Sequence, residues 1–139
     1  KGRTMYANIL VPLALSAPDD FRPALDAARK LATPGARITL LHVIEEVPAQ
    51  VAGYLPPDYL EGIRRDRIAD LAHRAEGLSG VVAEVAQGNP ASCILERAEA
   101  EGSDCIIIAS HRPGLRDWFL GSTAARVVRH AQCAVLVMR

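Results

Sequence analysis

Along the chain, short runs of mostly apolar residues alternate with longer stretches whose apolar positions recur every three to four residues. Ala7-Asn8-Ile9-Leu10-Val11 reads as a strand buried on both faces, ended by Pro12, which has no N–H for a ladder. A helical pattern follows, with Phe21, Leu25, Ala28 and Leu31 on one face. Asp19 and Asp20 stand at its start, where the helix dipole favours acids, and Pro34-Gly35 ends it. Arg37 to Val43 is the second strand. Pro48, Gly53, Pro56 and Pro57 mark residues 44–57 as a long loop. Asp58 caps a helix running to about Leu78, with Leu60, Ile63, Ile68, Leu71, Ala75 and Leu78 as its apolar face. Val81 to Val85 is the third strand. Gly88-Asn89-Pro90 is a turn into a helix that stops at Gly102, with Pro90 suited to the first helical position. Cys105 to Ala109, the most apolar run, is expected at the centre of a sheet. A polar loop, a helix from about Ser122 and a last strand, Ala134 to Met138, complete the chain. The order βαβαβαβαβ implies an α/β fold: a parallel sheet with helices on both faces.

Composition narrows the function classes. The chain has 139 residues, half of them hydrophobic, enough for one domain with a real core. Lys1 to Thr4 precede Met5, which reads as the natural start, so 1–4 are taken as an appended remnant and 5–139 as the domain. Sixteen basic residues balance sixteen acidic ones, which argues against nonspecific nucleic-acid binding yet leaves room for a small anion. Cys93, Cys105 and Cys133 are odd in number, form no CxxC and sit in apolar surroundings, so they read as small hydrophobes in a reducing cytoplasm. No histidine stands at metal-ligand spacing with them, and no apolar run approaches membrane-spanning length.

Open parallel sheets bind ligands beyond the carboxyl ends of their strands, where the strand order reverses. Two such ends stand out: Pro12-Leu13-Ala14 after the first strand, and Ser110-His111-Arg112 after the fourth. The second opens a loop that ends in Leu120-Gly121-Ser122-Thr123 and runs into a helix. Gly121 allows close backbone approach, Ser122 or Thr123 can cap the helix or offer a hydroxyl, and the free N–H groups favour phosphate. Gly-Ser-Thr before a helix is also an ordinary cap, and Pro113-Gly114 an ordinary solvated turn. Chemistry for catalysis is thin: there is no Gly-x4-Gly-Lys loop, no carboxylate pair at the strand ends, and no acid to orient Ser110 and His111 as nucleophile and base. A response-regulator receiver needs clustered acids after the first strand, and Leu13-Ala14 supplies none.

Asn8-Ile9-Leu10-Val11-Pro12, Leu40-Leu41-His42-Val43, Gly88-Asn89-Pro90, the run from Ile106 to Pro113, the run from Leu120 to Ala131, and Cys133 to Val137 together resemble the universal stress protein family, in order and over Met5 to Arg139. The likeness is to its short single-domain, ATP-binding subgroup, similar to the enterobacterial F and G types. It implies a bacterial, cytoplasmic stress-response module with a five-stranded sheet in the order 3-2-1-4-5, of the adenine nucleotide alpha hydrolase type. It further implies ATP, possible Mg²⁺, and a homodimer through the C-terminal strand. Carried over by position, the binding residues are Pro12, Leu13, Ala14, Val43, Ala109, Ser110, His111, Arg112, Gly121, Ser122 and Thr123. Two departures stand beside the likeness. Ala109 occupies the first glycine position of the family's G-x-x-G-x9-G-(S/T) loop, which is also about one residue short here, and Ala14 replaces the usual Asp. The backbone near Leu13 and Val43 is then left to hold the adenine. The alternatives are a family member that acts through dimerisation and protein partners without nucleotide, or a slow ATPase.

Overall fold

The computed structural model describes residues 5–15, 21–109 and 120–139. Strands β1 (Tyr6–Pro12), β2 (Ala32–Ile44), β3 (Val81–Gln87), β4 (Cys105–Ala109) and β5 (Ala134–Met138) form one parallel sheet in the order β3-β2-β1-β4-β5. Helices α1 (Arg22–Leu31) and α3 (Tyr59–Ala75) cover one face, and α4 (Pro90–Glu101) and α5 (Ser122–His130) the other. Alternation along each strand divides the core in two. Ile9, Val11, Ile38, Leu40 and Ile107 meet Phe21 at the N-cap of α1, Leu25 and Ala28 within it, and Leu71 of α3. Leu10, Leu41, Ile106 and Ile108 meet Ala91, Ile94 and Ala98 of α4 and Ala124 and Val127 of α5.

The elements follow the sequence pattern with four corrections. β4 is an interior strand, but the middle place belongs to β1, whose Ile9, Leu10 and Val11 are fully buried. Pro34-Gly35 does not close a helix: α1 ends at Leu31, and β2 starts at Ala32 and passes through the pair. The register jumps from Tyr6↔Ala32 to Asn8↔Arg37, a bulge that absorbs the proline and leaves Gly35 at φ +79°. Within 44–57 a short helix, α2 (Ala49–Ala52), fits between Pro48 and Gly53, because neither breaker lies inside it. The stripe on α3 is buried fully only at Leu71; Leu60 and Ile68 stay exposed, since α3 packs over the edge strand β3, where the sheet ends.

Polar groups fasten the amino ends of the strands. Both Asp104 carboxylate oxygens accept backbone N–H groups, from Ala7 and Asn8 at 2.9 and 3.0 Å, tying the start of β1 to the start of β4. Glu84 on β3 accepts from Arg37 (3.1 Å) and Arg97 (2.7 Å), while Arg97 also lies 3.5 Å from Glu101. Burial, then a hydrogen bond with Glu84, push the Glu101 carboxyl above its usual range against the pull of Arg37 and Arg97. The folded chain therefore holds this proton more tightly than the unfolded one. The stabilisation is complete below the ordinary glutamate range and is lost as pH rises through the folded value. Glu101→Gln removes the titrating charge and keeps the shape. Its melting temperature should exceed the wild type's at neutral pH, with the gap closing below about pH 4; an unchanged gap across that range would contradict the assignment.

Candidate functional site

The order β3-β2-β1-β4-β5 reverses between β1 and β4, so the switch point expected from the alternation lies between the ends of these two strands. On the β1 side the ladder to β2 closes with Pro12↔Leu41. Leu13 continues past it: its N–H donates to the Leu41 carbonyl (2.8 Å), and its own carbonyl lies 2.9 Å from His42 Nδ1. Both backbone groups of Leu13 are thus engaged by β2. Ala14 is exposed and brings no polar side chain, and Leu15 takes the left-handed φ of +59° as the chain leaves the sheet. Val43 is half-buried and packs toward α4 and α5.

On the β4 side the strand ends at the exposed Ala109, paired with Met138. Ser110, His111 and Arg112 lie outside the described residues, as do Trp118 and Phe119. The chain is described again from Leu120, which packs on the α4/α5 side of the core. Gly121, rather than Ser122 or Thr123, occupies the N-cap of α5, at φ −60° and ψ 155°, with no side-chain capping bond. Ser122 and Thr123 are the first two helical residues. The Ala125 N–H is the first to find an intrahelical acceptor, the Gly121 carbonyl at 2.8 Å. The N–H groups of Ser122, Thr123 and Ala124 thus have no acceptor within the helix, and its first turn holds no acid. The positive end of the helix dipole stands beside the switch point with no acid of its own first turn to offset it.

A third segment borders the site that sequence reasoning treated as a turn alone. The Gly88 N–H donates to the Ile44 carbonyl (2.9 Å), joining the exits of β2 and β3. Gly88 has φ +143°, where a side chain would be strained, and a Cβ there would crowd Cys93 Sγ at 3.0 Å. Asn89 caps α4 by accepting from the Ser92 N–H (3.0 Å), and the same oxygen accepts from Arg126 of α5 at 3.0 Å. This bond links the start of α4 to the second turn of α5. Beside it lies a depression of about 340 Å³ lined by Glu45, Glu46, Gly88, Asn89 and Pro90. Two carboxylates there make this depression unfavourable for a phosphate. Glu45 and Glu46 directly follow β2, so a carboxylate pair does stand at a strand end, contrary to the sequence reading.

The Universal stress protein family profile matches residues 5–139. The chain belongs to the universal stress protein family. A universal stress protein of Thermus aquaticus is 34% identical over 142 residues, covering 97% of this chain and all of the relative. Universal stress protein G of Escherichia coli O157:H7 is 28% identical, with 97% and 100% covered. A universal stress protein from Archaeoglobus fulgidus, solved in complex with dAMP, superposes with a TM-score of 0.63 over 98% of this chain and 100% of its own, at 16% identity. That last likeness is one of fold. This universal stress protein thus has a five-stranded parallel α/β sheet in the order β3-β2-β1-β4-β5 and shares the fold of its solved relative. Among the described residues, no helix is long and apolar enough to cross a membrane.

Proposed function

We propose that the chain binds ATP across the ends of β1 and β4, as a regulatory module whose output is a conformation or a protein contact. The observation that carries this is the α5 start: N–H groups with no acceptor within the helix, a glycine at the cap and no acid in the first turn, at the switch point of the sheet. That donor set fits phosphate oxygens, since it offers several N–H groups and a favourable dipole with no acid in the helix's first turn. Gly121, Ser122 and Thr123 would hold the phosphates, with Ala109 and the Ser110-His111-Arg112 segment at the other side. Mg²⁺, when present, would be held mainly by the phosphates. The nucleoside would lie toward β1 and β2, against Pro12, Leu13, Ala14 and Val43. The A. fulgidus relative solved with dAMP supports an adenine nucleotide on this fold.

We further propose a homodimer through β5. This strand is an edge of the sheet, and from Val135 to Met138 its side chains are only half-buried. Pairing two such edges satisfies both sets of outward backbone groups. The three free thiols suit the reducing cytoplasm. Nucleotide released from the purified, denatured protein and identified by mass spectrometry tests the ligand. Adenine nucleotide is expected; another base, or none from a folded protein that also fails to bind added ATP, would refute it. Ala14→Asp should strengthen or leave unchanged the binding of uncharged adenosine, by adding an acceptor worth about 1 kcal/mol. A clear loss of adenosine affinity would place the nucleoside elsewhere.

A further inference from the structure

His42 is the polar side chain that ties together the exits of β1 and β2, and its position has a consequence for what those exits can bind. It retains 9% of its surface exposed. Ile38 and Leu40 on the same strand face α1 and α3, so His42, in phase with them, faces that side as well. Leu13 packs against the same half of the core. A carbonyl only accepts, so at 2.9 Å the His42 Nδ1 carries the proton and donates to Leu13. The other ring nitrogen has no hydrogen-bond partner among the described residues.

In a parallel ladder, one residue's N–H and C=O both turn to the same neighbour, and the residues doing so alternate. Leu41 turns to β1, since its carbonyl accepts from Leu13. Val43 is next in that phase. Continuing the ladder would bring the Val43 N–H onto the Leu13 carbonyl. Instead the registered pairs stop at Pro12↔Leu41, and the Leu13 carbonyl is turned onto the imidazole. No backbone bond between described residues carries the ladder on to Val43. Its N–H and C=O are left facing the switch point, where β1 has ended.

We propose that His42 is a positioning residue for base recognition: by drawing the Leu13 carbonyl onto its ring, it stops the β1–β2 ladder and keeps the Val43 backbone open to the edge of a purine. The inference rests on the nucleotide reading above. A 6-aminopurine presents an amino donor next to a ring-nitrogen acceptor, the complement of one residue's C=O and N–H. A 6-oxopurine reverses the two and leaves polar groups unpaired, so the open edge also discriminates. Pro12, Leu13 and Ala14 offer no side-chain hydrogen bond that could do this instead.

The test compares wild type, His42→Phe and His42→Gln. Calorimetry measures adenosine, inosine, ATP and inorganic triphosphate, and NMR follows exchange of the Val43 amide in the free protein. Phe fills the space without donating; Gln can still donate to Leu13. His42→Phe should weaken adenosine and ATP by the same factor, about tenfold, or about one hydrogen bond. It should narrow the preference for adenosine over inosine, leave triphosphate unchanged, and slow Val43 exchange as the ladder closes. His42→Gln should stay within about threefold of wild type, as a single retained donor predicts. Equal loss for triphosphate would make His42 merely structural and overturn the proposal. So would a folded His42→Phe with wild-type adenosine affinity, or unchanged Val43 exchange. If the wild type binds neither adenosine nor ATP, it is the nucleotide reading itself that fails.

Discussion

Gly121→Val is expected to fold as the wild type does and to bind ATP roughly a hundredfold more weakly, the loss of about two charge-assisted hydrogen bonds. Gly121 sits at φ −60° and ψ 155°, a conformation any residue adopts, so the backbone does not demand glycine here. What glycine provides is room. A branched side chain at the cap stands between a phosphate and the N–H groups of the first turn. Because no side-chain capping bond exists at this position, the substitution removes none. The cost to stability should be about 1 kcal/mol, since glycine ranks well above valine at an N-cap. A thermal melt alongside the titration separates the two effects. A folded Gly121→Val with unchanged ATP affinity would show that the phosphates lie elsewhere.

Val135→Pro should convert a dimer into a monomer. Val135 lies within β5, in register with Ile106, on the edge opposite β3. The apolar run from Cys133 to Met138 contains no Pro, Lys or internal charge, the usual devices that keep edges from pairing. Light scattering at micromolar concentration reads the change, and circular dichroism confirms that the sheet survives. A wild type that runs as a monomer would sink the proposal outright. A folded variant that remains dimeric would move the interface to another surface.

Much of this architecture was legible because it is local. Alternation within Ile38 to Leu41 and three-to-four spacing through Phe21, Leu25 and Ala28 recur as the two faces of the core. Asn89 and Pro90 start α4 as their chemistry dictates, and Gly102 ends it in the left-handed conformation that glycine favours. What stayed hidden depends on partners distant in the chain. The bulge that lets β2 run through Pro34-Gly35 exists because β1 pairs on both sides of it. The bond from His42 to Leu13 spans 29 residues, and that from Arg126 to Asn89 spans 37. Neither distance is encoded in spacing, and each becomes visible once the strand order is known. The start of α5 was legible, but its cap was not: Ser122 and Thr123 are the better capping side chains, yet the chain turns one residue earlier.

The central claim is that the open start of α5 and the exits of β1 and β2 together hold ATP. Calorimetric titration of ATP, ADP, AMP and GTP into nucleotide-free protein, with and without Mg²⁺, tests it most directly. Saturable binding of ATP at one site per chain is expected, weakening from ATP to AMP as phosphates are lost, and weaker for GTP. A folded protein that gives no saturable heat with any adenine nucleotide, or that binds GTP as tightly as ATP, would contradict the account.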